Sequence, residues 1–398
     1  MKNALILTAP AGAQVLFGRP LLERILTQCE RAGIARFFVV CPSQQRESLS
    51  GSLGRFSDDF RLQILESTDL LLQAPSNLDA SAPFLVISSD VVVARSQLDR
   101  LLEYGAAHPG ETGRLDVQGA GKNSILAVGP LRNVLRQAES SKPLQPGLDG
   151  TLPLALKTDP GAVERTEVAM ARILRFETTE TDGVMAQTFD RKISWRASYR
   201  LARTRVTPNQ ITIANTALGL LAAWMFSARG YWLPLIASLL FLISVTIDGV
   251  DGEVARLKMA ESPFGKRLDV LTDNLVNIAV LVAIGFGCYR NSGSRAYLYL
   301  LPLLLAGFGL CAISVGRALR VSGKQAQRWI GQVERICGRD FAYLLVPLAA
   351  IHRLNYVAWG TAFGTYVFAI VLWWMTTNQT RLLVGVPRPE RHAAAEGL

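Results

Sequence analysis

The spacing of hydrophobic and polar residues changes near residue 190. Before it, short apolar runs (NALILTA, RFFVVC and PFLVISSD) alternate with helical patterns over residues 19–34 and 96–108. Strands that alternate with helices are typical of a parallel sheet covered by helices. We therefore predict an N-terminal α/β domain with a parallel-sheet core over residues 1–180. In its last part, residues 140–180, only scattered strands or loops are expected.

The segment FDRKISWRASYRLARTR, residues 189–205, interleaves arginines with aromatic and aliphatic residues. This pattern is typical of an amphipathic helix that lies at a membrane surface. It predicts a juxtamembrane linker helix over residues 181–206.

Apolar runs become longer after residue 206. Several approach the ~20 residues that cross hydrocarbon, and shorter ones can continue through polar residues that face a protein interior. They predict an all-α membrane domain with six transmembrane helices over residues 207–378, followed by a tail over 379–398. The weakest of the six contains Pro347. The apolar stretches are 211–228, 231–247, 270–289, 296–316, 340–352 and 356–376.

Composition and charge support a membrane protein. The chain is 49% hydrophobic and 19% charged, with a net charge of +10. Residues 1–180 carry 19 Lys and Arg against 20 Asp and Glu, so the basic excess lies entirely in the second half. Its arginines flank apolar runs and lack the setting of a nucleic-acid surface, which favours membrane lipids or phosphorylated substrates as partners and argues against nucleic acid.

Basic residues are concentrated between Arg317 and Arg339 and in the tail. The positive-inside rule places these segments, both termini and the N-terminal domain on the cytoplasmic side of a bacterial or archaeal membrane. The five cysteines show no metal-ligand spacing, so neither disulfides nor zinc is expected. The three histidines are far apart and predict no site.

Acidic residues end one apolar run and begin the next. Asp248 and Asp251 close LISVTIDGVDGEVAR, and Asp269 and Asp273 follow in GKRLDVLTD. At about 100° per residue, each pair lies on one helical face, roughly 60° and 40° apart. Two helices joined by a short turn can therefore direct four carboxylates towards one point.

Four converging negative charges near a bilayer require a positive partner. Oxygen ligands favour Mg²⁺ or Mn²⁺. Gly252 and Ala255 keep the same face free of bulk, and Arg256 offers a planar donor for a phosphate. The alternative is that each aspartate caps a helix or pairs with a nearby basic residue, which suffices for one aspartate but less well for four.

These residues resemble the signature of CDP-alcohol phosphotransferases, which also includes Gly265. The resemblance implies a six-helix, homodimeric membrane enzyme with two divalent ions per site, which transfers a phospho-alcohol from a CDP-alcohol to an alcohol or polyol-phosphate acceptor. Asp248, Asp251 and Asp269 would bind metal, and Asp273 would bind metal or act as the catalytic base. The residues implied for CDP binding are Asp248, Gly252, Ala255 and Arg256, together with Pro208 and Asn209 of TPNQIT.

The acceptor pocket is left open by the sequence. Basic residues near the predicted cytoplasmic face could bind a sugar phosphate, an inositol phosphate or a lipid phosphate, or could simply extend to the membrane interface. They are Lys266, Arg267, Arg317, Arg320 and Arg339.

The first half resembles a sugar-phosphate nucleotidyltransferase. ALILTAPAGAQVLFGRPLLERILTQCERAGIARFFVVCP resembles the opening of that domain, and FLVISSD resembles the strand that leads to its metal-binding aspartate, here Asp90. The whole chain is similar to fusions of inositol-1-phosphate cytidylyltransferase with di-myo-inositol-phosphate-phosphate synthase. In the phosphate loop, however, Gly12 is the single glycine, Gln14 replaces a basic residue and Arg19 replaces a lysine. These departures favour a degenerate structural or regulatory domain.

Two alternatives remain. A bifunctional enzyme would also make the CDP-alcohol from CTP. A cation transporter would use the acidic residues as an ion path, but it predicts carboxylates spread through the membrane, whereas these lie within residues 248–273. The donor is either CDP-diacylglycerol or a CDP-polyol.

Overall fold

The computed structural model describes residues 3–43, 46–68, 83–119, 124–137, 142–144, 153–157, 159–179, 191–337 and 341–384. Contacts divide the chain into two compact units. The first comprises Met1–Glu180 with two later segments, Ser194–Pro208 and Val250–Ser262. The second comprises residues 181–193, 209–249 and 263–398.

A seven-stranded sheet forms the centre of the first unit, in the order β10-β8-β9-β6-β1-β4-β5. Strands β5, β4, β1 and β6 are parallel, which confirms the predicted parallel core. One edge differs because β9 pairs antiparallel with both β6 and β8. The strands of the unit are β1 (Asn3–Leu7), β2 (Val15–Leu16), β3 (Arg19–Pro20), β4 (Arg36–Val40), β5 (Leu62–Leu65), β6 (Pro83–Ser88), β7 (Val91–Val92), β8 (Gly113–Arg114), β9 (Leu126–Pro130), β10 (Lys142–Pro143) and β11 (Leu154–Ala155).

The sheet is buried on both faces. Ala4 and Ile6 of β1 belong to one core cluster and Leu5 to the other, because side chains alternate across a strand. Burial of both faces explains why the sequences of β1, β4 and β6 are nearly continuous apolar runs.

Helices cover this sheet, and the predicted helices at 19–34 and 96–108 are confirmed. The expectation of only strands or loops over 140–180 was wrong, because a helix occupies Ala162–Thr179. Its buried face includes Thr166 and Glu167, which hides the apolar periodicity. The helices are α1 (Leu21–Arg31), α2 (Arg46–Leu53), α3 (Arg95–Ala107), α4 (Leu131–Gln137), α5 (Ala162–Thr179) and α6 (Arg191–Ala202), with 3₁₀ turns at Pro10–Ala13 and Gly54–Phe56.

From Pro208 onwards the described residues form six helices, and a helix lies at each predicted apolar stretch. Four of them, within the described residues, are long and apolar enough to cross a membrane: Trp232–Leu257, Pro263–Ser292, Ala296–Arg320 and Asn355–Thr377. The helices are α7 (Pro208–Phe226), α8 (Trp232–Leu257), α9 (Pro263–Ser292), α10 (Ala296–Cys337), α11 (Phe341–Ala350) and α12 (Asn355–Val384).

The two remaining helices of the predicted six do not meet this length and hydropathy, for separate reasons. Helix α7 is diluted by polar residues such as Asn209, Gln210 and Asn215, whereas α11 has ten residues and contains Pro347. The basic stretch after Arg317 is a continuation of α10 as far as Cys337.

Close helix packing depends on Gly287 of α9. A Cβ at this position would overlap the backbone carbonyl oxygen of Phe226, as is common where small residues let helices approach. We expect Gly287→Ala to destabilise the protein by about 1–3 kcal/mol, measured as a lower thermal midpoint in detergent. Gly309→Ala is the control, since a Cβ there meets open space. Equal midpoints for the two variants would contradict this close approach.

Candidate active site

Helices α8 and α9 bring three of the four predicted aspartates together. One carboxylate oxygen from each of Asp248, Asp269 and Asp273 lies within 4.8 Å of the others. At that separation, and with an effective dielectric of ~20, each charged pair repels by about 3 kcal/mol. Carboxylates this close are stabilised by a positive charge between them. The cluster therefore has the electrostatics of a cation site.

The two helices position this cluster by simple means. Asp269 and Asp273 are four residues apart on α9, so they lie on one face. Asp248 stands near the end of α8, after an apolar run that starts at Trp232. All three side chains are half-buried.

The donor set suits a hard divalent cation. The cluster, within the residues described, consists of carboxylates alone. Oxygen ligands are those that Mg²⁺ and Mn²⁺ prefer, whereas zinc sites are built mainly from nitrogen and sulfur ligands. The residues present therefore fit such an ion.

Asp251 lies one turn beyond Asp248 on α8. It is 7% exposed, and its Oδ1 accepts a hydrogen bond of 2.6 Å from the backbone N–H of Gly252. A Cβ on Gly252 would lie 3.8 Å from Nη2 of Arg256, so the guanidinium lies over this glycine.

Arg256 also lines a cavity of about 310 Å³ together with Arg24 and Arg31. Its Nε is buried and, among the described residues, has no hydrogen-bond partner. A buried guanidinium donor without an acceptor has a cost, which an anionic ligand would remove.

Other predicted residues lie on α7, α9 and α10. Pro208 and Asn209 are the first two residues of α7. Lys266 and Arg267 are exposed near the start of α9, and Arg320 is exposed on α10.

Two predicted acceptor residues remain, Arg317 and Arg339, and the structure describes only the first. Arg317 lies over the ring of Trp373, with 4.2 Å between the guanidinium carbon and the ring centroid. Such a cation–π contact accounts for its position. Arg339 lies outside the described residues.

The sequence analysis did not predict one polar contact near the site. The hydroxyl of Ser244 donates a 2.9 Å hydrogen bond to Oδ1 of Asn215, which joins α8 to α7. Ser244 precedes Asp248 by four residues, so it lies on the same face of α8. In the sequence, Ser244 could have been noticed as a polar residue one turn before Asp248 in an otherwise apolar helix.

In the first unit, the loop after β1 packs tightly against Ser89. The hydroxyl of Ser89 accepts a 2.7 Å hydrogen bond from the N–H of Ala9, and a Cβ on Gly12 would overlap the Ser89 side chain. Asp90 accepts a 2.5 Å hydrogen bond from Ser124 at Oδ2. Its Oδ1 is buried and has no hydrogen-bond partner in the part of the chain that the structure describes.

Residues 205–384 match the family model of CDP-alcohol phosphatidyltransferase. This segment is similar to the CDP-alcohol phosphatidyltransferases. The matched range contains Asp248, Asp251, Asp269 and Asp273. The match, together with four helices that are long and apolar enough to cross a membrane, indicates an integral membrane protein.

Relatives support the same assignment. The chain is 39% identical over 104 residues to the "bifunctional IPC transferase and DIPP synthase" of Aquifex aeolicus, covering 26% of this chain and 23% of that protein. It is 27% identical over 199 residues to the protein of that name from Thermococcus kodakarensis, covering 50% and 44%. The "archaetidylinositol phosphate synthase" of Pyrococcus horikoshii is 32% identical over 92 residues, covering 23% and 47%. The matches thus span less than half the length of each of these relatives.

Proposed function

We propose that the protein is a membrane-embedded CDP-alcohol phosphotransferase. It transfers the phospho-alcohol of a CDP-alcohol to an acceptor hydroxyl and releases CMP. The observation that carries this proposal is the convergence of Asp248, Asp269 and Asp273 inside the segment that matches the family.

We also propose an organisation of the chain into four parts. Residues 1–180 form a cytoplasmic, degenerate nucleotidyltransferase-like domain and 181–206 a linker. Residues 207–378 form a six-helix membrane domain whose active site faces the cytoplasm, and 379–398 form a tail. The protein acts as a homodimer.

Two Mg²⁺ or Mn²⁺ ions are proposed as cofactors, held by Asp248, Asp251, Asp269 and Asp273. When bound, such ions neutralise the negative charge of a diphosphate. The cost of bringing Asp248, Asp269 and Asp273 within 4.8 Å supports this role, because cations offset their repulsion.

The protein side chains bind and orient the reactants. Gly252 and Ala255 leave room for the nucleotide. Nε of Arg256, which has no hydrogen-bond partner among the residues that the structure describes, donates to a phosphate oxygen. Asp273 accepts the proton of the acceptor hydroxyl as its oxygen attacks the β-phosphorus. A new P–O bond forms, and the bond from that phosphorus to the bridging oxygen breaks. CMP leaves with the bridging oxygen.

The acceptor is proposed to be an inositol phosphate or a related polyol phosphate. The names of the relatives from Aquifex, Thermococcus and Pyrococcus favour this class. Exposed Lys266 and Arg267 supply positive charge for an anionic acceptor, and the same role is proposed for Arg317, Arg320 and Arg339. The donor is CDP-diacylglycerol or a CDP-polyol.

The test is CMP release by the purified full-length protein with Mn²⁺. Each donor, CDP-diacylglycerol or CDP-inositol, is paired with inositol phosphate, glycerol phosphate or serine. We expect CMP from one donor only when its acceptor is present, and none after EDTA treatment. If no pair yields metal-dependent CMP, the proposal fails.

One observation favours a bifunctional enzyme as the second candidate. The buried Oδ1 of Asp90, which has no hydrogen-bond partner within the described part of the chain, is the kind of atom that a metal would bind. Such an enzyme would release pyrophosphate from CTP and a polyol phosphate, and would lose this activity in Asp90→Asn. A cation transporter is disfavoured, because the three clustered carboxylates lie at one point instead of through the membrane.

A further inference from the structure

Helix α8, which carries the acidic motif, ends in an unusual conformation. The N–H of Ala260 donates to the carbonyl of Ala255 (2.8 Å), and that of Met259 donates to the carbonyl of Arg256 (3.1 Å). This is a Schellman motif, which usually has glycine at the left-handed position. Here the position is Met259, with φ of 54°. A side chain in this conformation costs roughly 1–2 kcal/mol, so surrounding contacts must stabilise it.

Helix α1 of the N-terminal domain supplies two of these contacts. Arg24 is 3% exposed and donates a 2.7 Å hydrogen bond from Nη1 to the carbonyl of Leu257, the last residue of α8. Arg31 donates to the carbonyl of Met259 (3.3 Å) and pairs with Glu261. The last carbonyls of a helix have no partner within it, and a cation there also complements the helix dipole.

Arg24 remains charged despite its burial. Desolvation lowers its pKa to about 10, so the guanidinium is still protonated at neutral pH. A buried charge of this kind must be satisfied by acceptors. Its acceptors are the carbonyls of Leu257 and Leu16.

Helix α6 contacts the same part of α8 through Glu253. This carboxylate is 3% exposed and accepts hydrogen bonds from Ser194 (3.1 Å) and Ser198 (2.6 Å). Glu253 immediately follows Gly252 in the motif. The hydrogen bonds from Ser194 and Ser198 therefore hold the rotation of the helical turn that carries Asp251 and Gly252.

The β2–β3 hairpin completes the contact. Phe17, at its tip, is 4% exposed and packs in an apolar cluster with Ala202 and Leu257. Its backbone N–H donates a 2.8 Å hydrogen bond to Glu167. This hairpin lies within the segment that resembles a nucleotide-binding loop, yet it packs against the end of the motif helix.

We infer that the N-terminal domain is a positioning domain, which fixes the last turns of α8 and acts through Arg24 as its main positioning residue. This inference rests on the proposed function, and it gives a role to a domain whose phosphate loop has lost its usual residues. Asp251 and Arg256 lie on the fixed turns, whereas Asp273 lies on α9. Loss of positioning should therefore weaken donor and metal binding more than the chemical step.

The experiment compares Arg24→Met with Arg24→Lys in the full-length protein. A hydrogen bond from a charged group contributes on the order of 1.5–3 kcal/mol. We accordingly expect Arg24→Met to raise the KM for the CDP-alcohol about tenfold or more, with kcat within about twofold. Arg24→Lys keeps the charge and should recover part of the KM. Arg36→Met is the matched control, because Arg36 is an exposed arginine on β4.

The split between KM and kcat separates positioning from a loss of folded protein. Fewer folded molecules would lower kcat at unchanged KM, and that result, or an unchanged KM, overturns the inference. Ser198→Ala is a milder second variant that removes one hydrogen bond to Glu253. If Arg24→Met does not fold, Ser198→Ala tests the inference in its place, and we expect this variant to raise the KM for the CDP-alcohol by a few-fold.

Hydrogen exchange gives a readout that does not depend on activity. Backbone amides of residues 254–260 should exchange faster in Arg24→Met than in the wild type, and Arg36→Met should match the wild type. Equal exchange in Arg24→Met and the wild type overturns the inference. If the wild type releases no CMP from any donor, the proposed function fails instead, while the exchange result still decides whether Arg24 fixes the helix end.

Discussion

Asp273→Asn is expected to lower kcat for CMP release by about 10²–10⁴-fold, the usual contribution of a positioned base. Asparagine has nearly the shape of aspartate but cannot accept the proton of the acceptor hydroxyl. The measurement is the initial rate of CMP release at saturating donor, acceptor and Mn²⁺.

The metal dependence of this variant distinguishes the two roles left open for Asp273. A residue that only binds metal would be compensated in part by more Mn²⁺, whereas a lost base would not. Asn274→Ala is the control, because Asn274 is the next residue on α9 and is exposed. A wild-type rate in Asp273→Asn would refute the catalytic assignment.

Much of the candidate site could be predicted because it is local. Asp269 and Asp273 are one helical turn apart, and Asp248 lies at the end of an apolar run, so spacing alone placed them on facing helical surfaces. The parallel sheet could also be predicted from the sequence, because β1, β4 and β6 are short apolar runs that alternate with helical patterns.

The contacts that hold the motif helix could not be predicted. Arg24 and Leu257 are 233 positions apart, and no local pattern indicates that a buried arginine in α1 contacts a carbonyl of α8. Glu253 likewise looks like an ordinary polar residue of a helix. The helix at Ala162–Thr179 was missed because its buried face includes polar Thr166 and Glu167, which depend on tertiary contacts.

Asp269→Asn is expected to have the second large effect, on metal binding. Removing one of three clustered ligands should raise the Mn²⁺ concentration that gives half-maximal CMP release by about 10²-fold. This corresponds to roughly 3 kcal/mol, similar to the Coulomb energy of one charge pair in the cluster. A Mn²⁺ titration of the initial rate measures this concentration. Asp99→Asn is the control, because Asp99 is a half-exposed aspartate of α3 that pairs with Arg95.

Thermal stability provides a second test of Asp269, because the sign of the effect should reverse with metal. Without metal, three carboxylates within 4.8 Å repel one another, so Asp269→Asn should melt at a higher temperature than the wild type. With saturating Mn²⁺, binding to the folded state stabilises the wild type more than the variant, and the order should reverse. If the variant melts below the wild type to the same extent with and without Mn²⁺, Asp269 serves packing and not metal binding. A cation held by these carboxylates is the arrangement that explains both their proximity and a reversal of this kind.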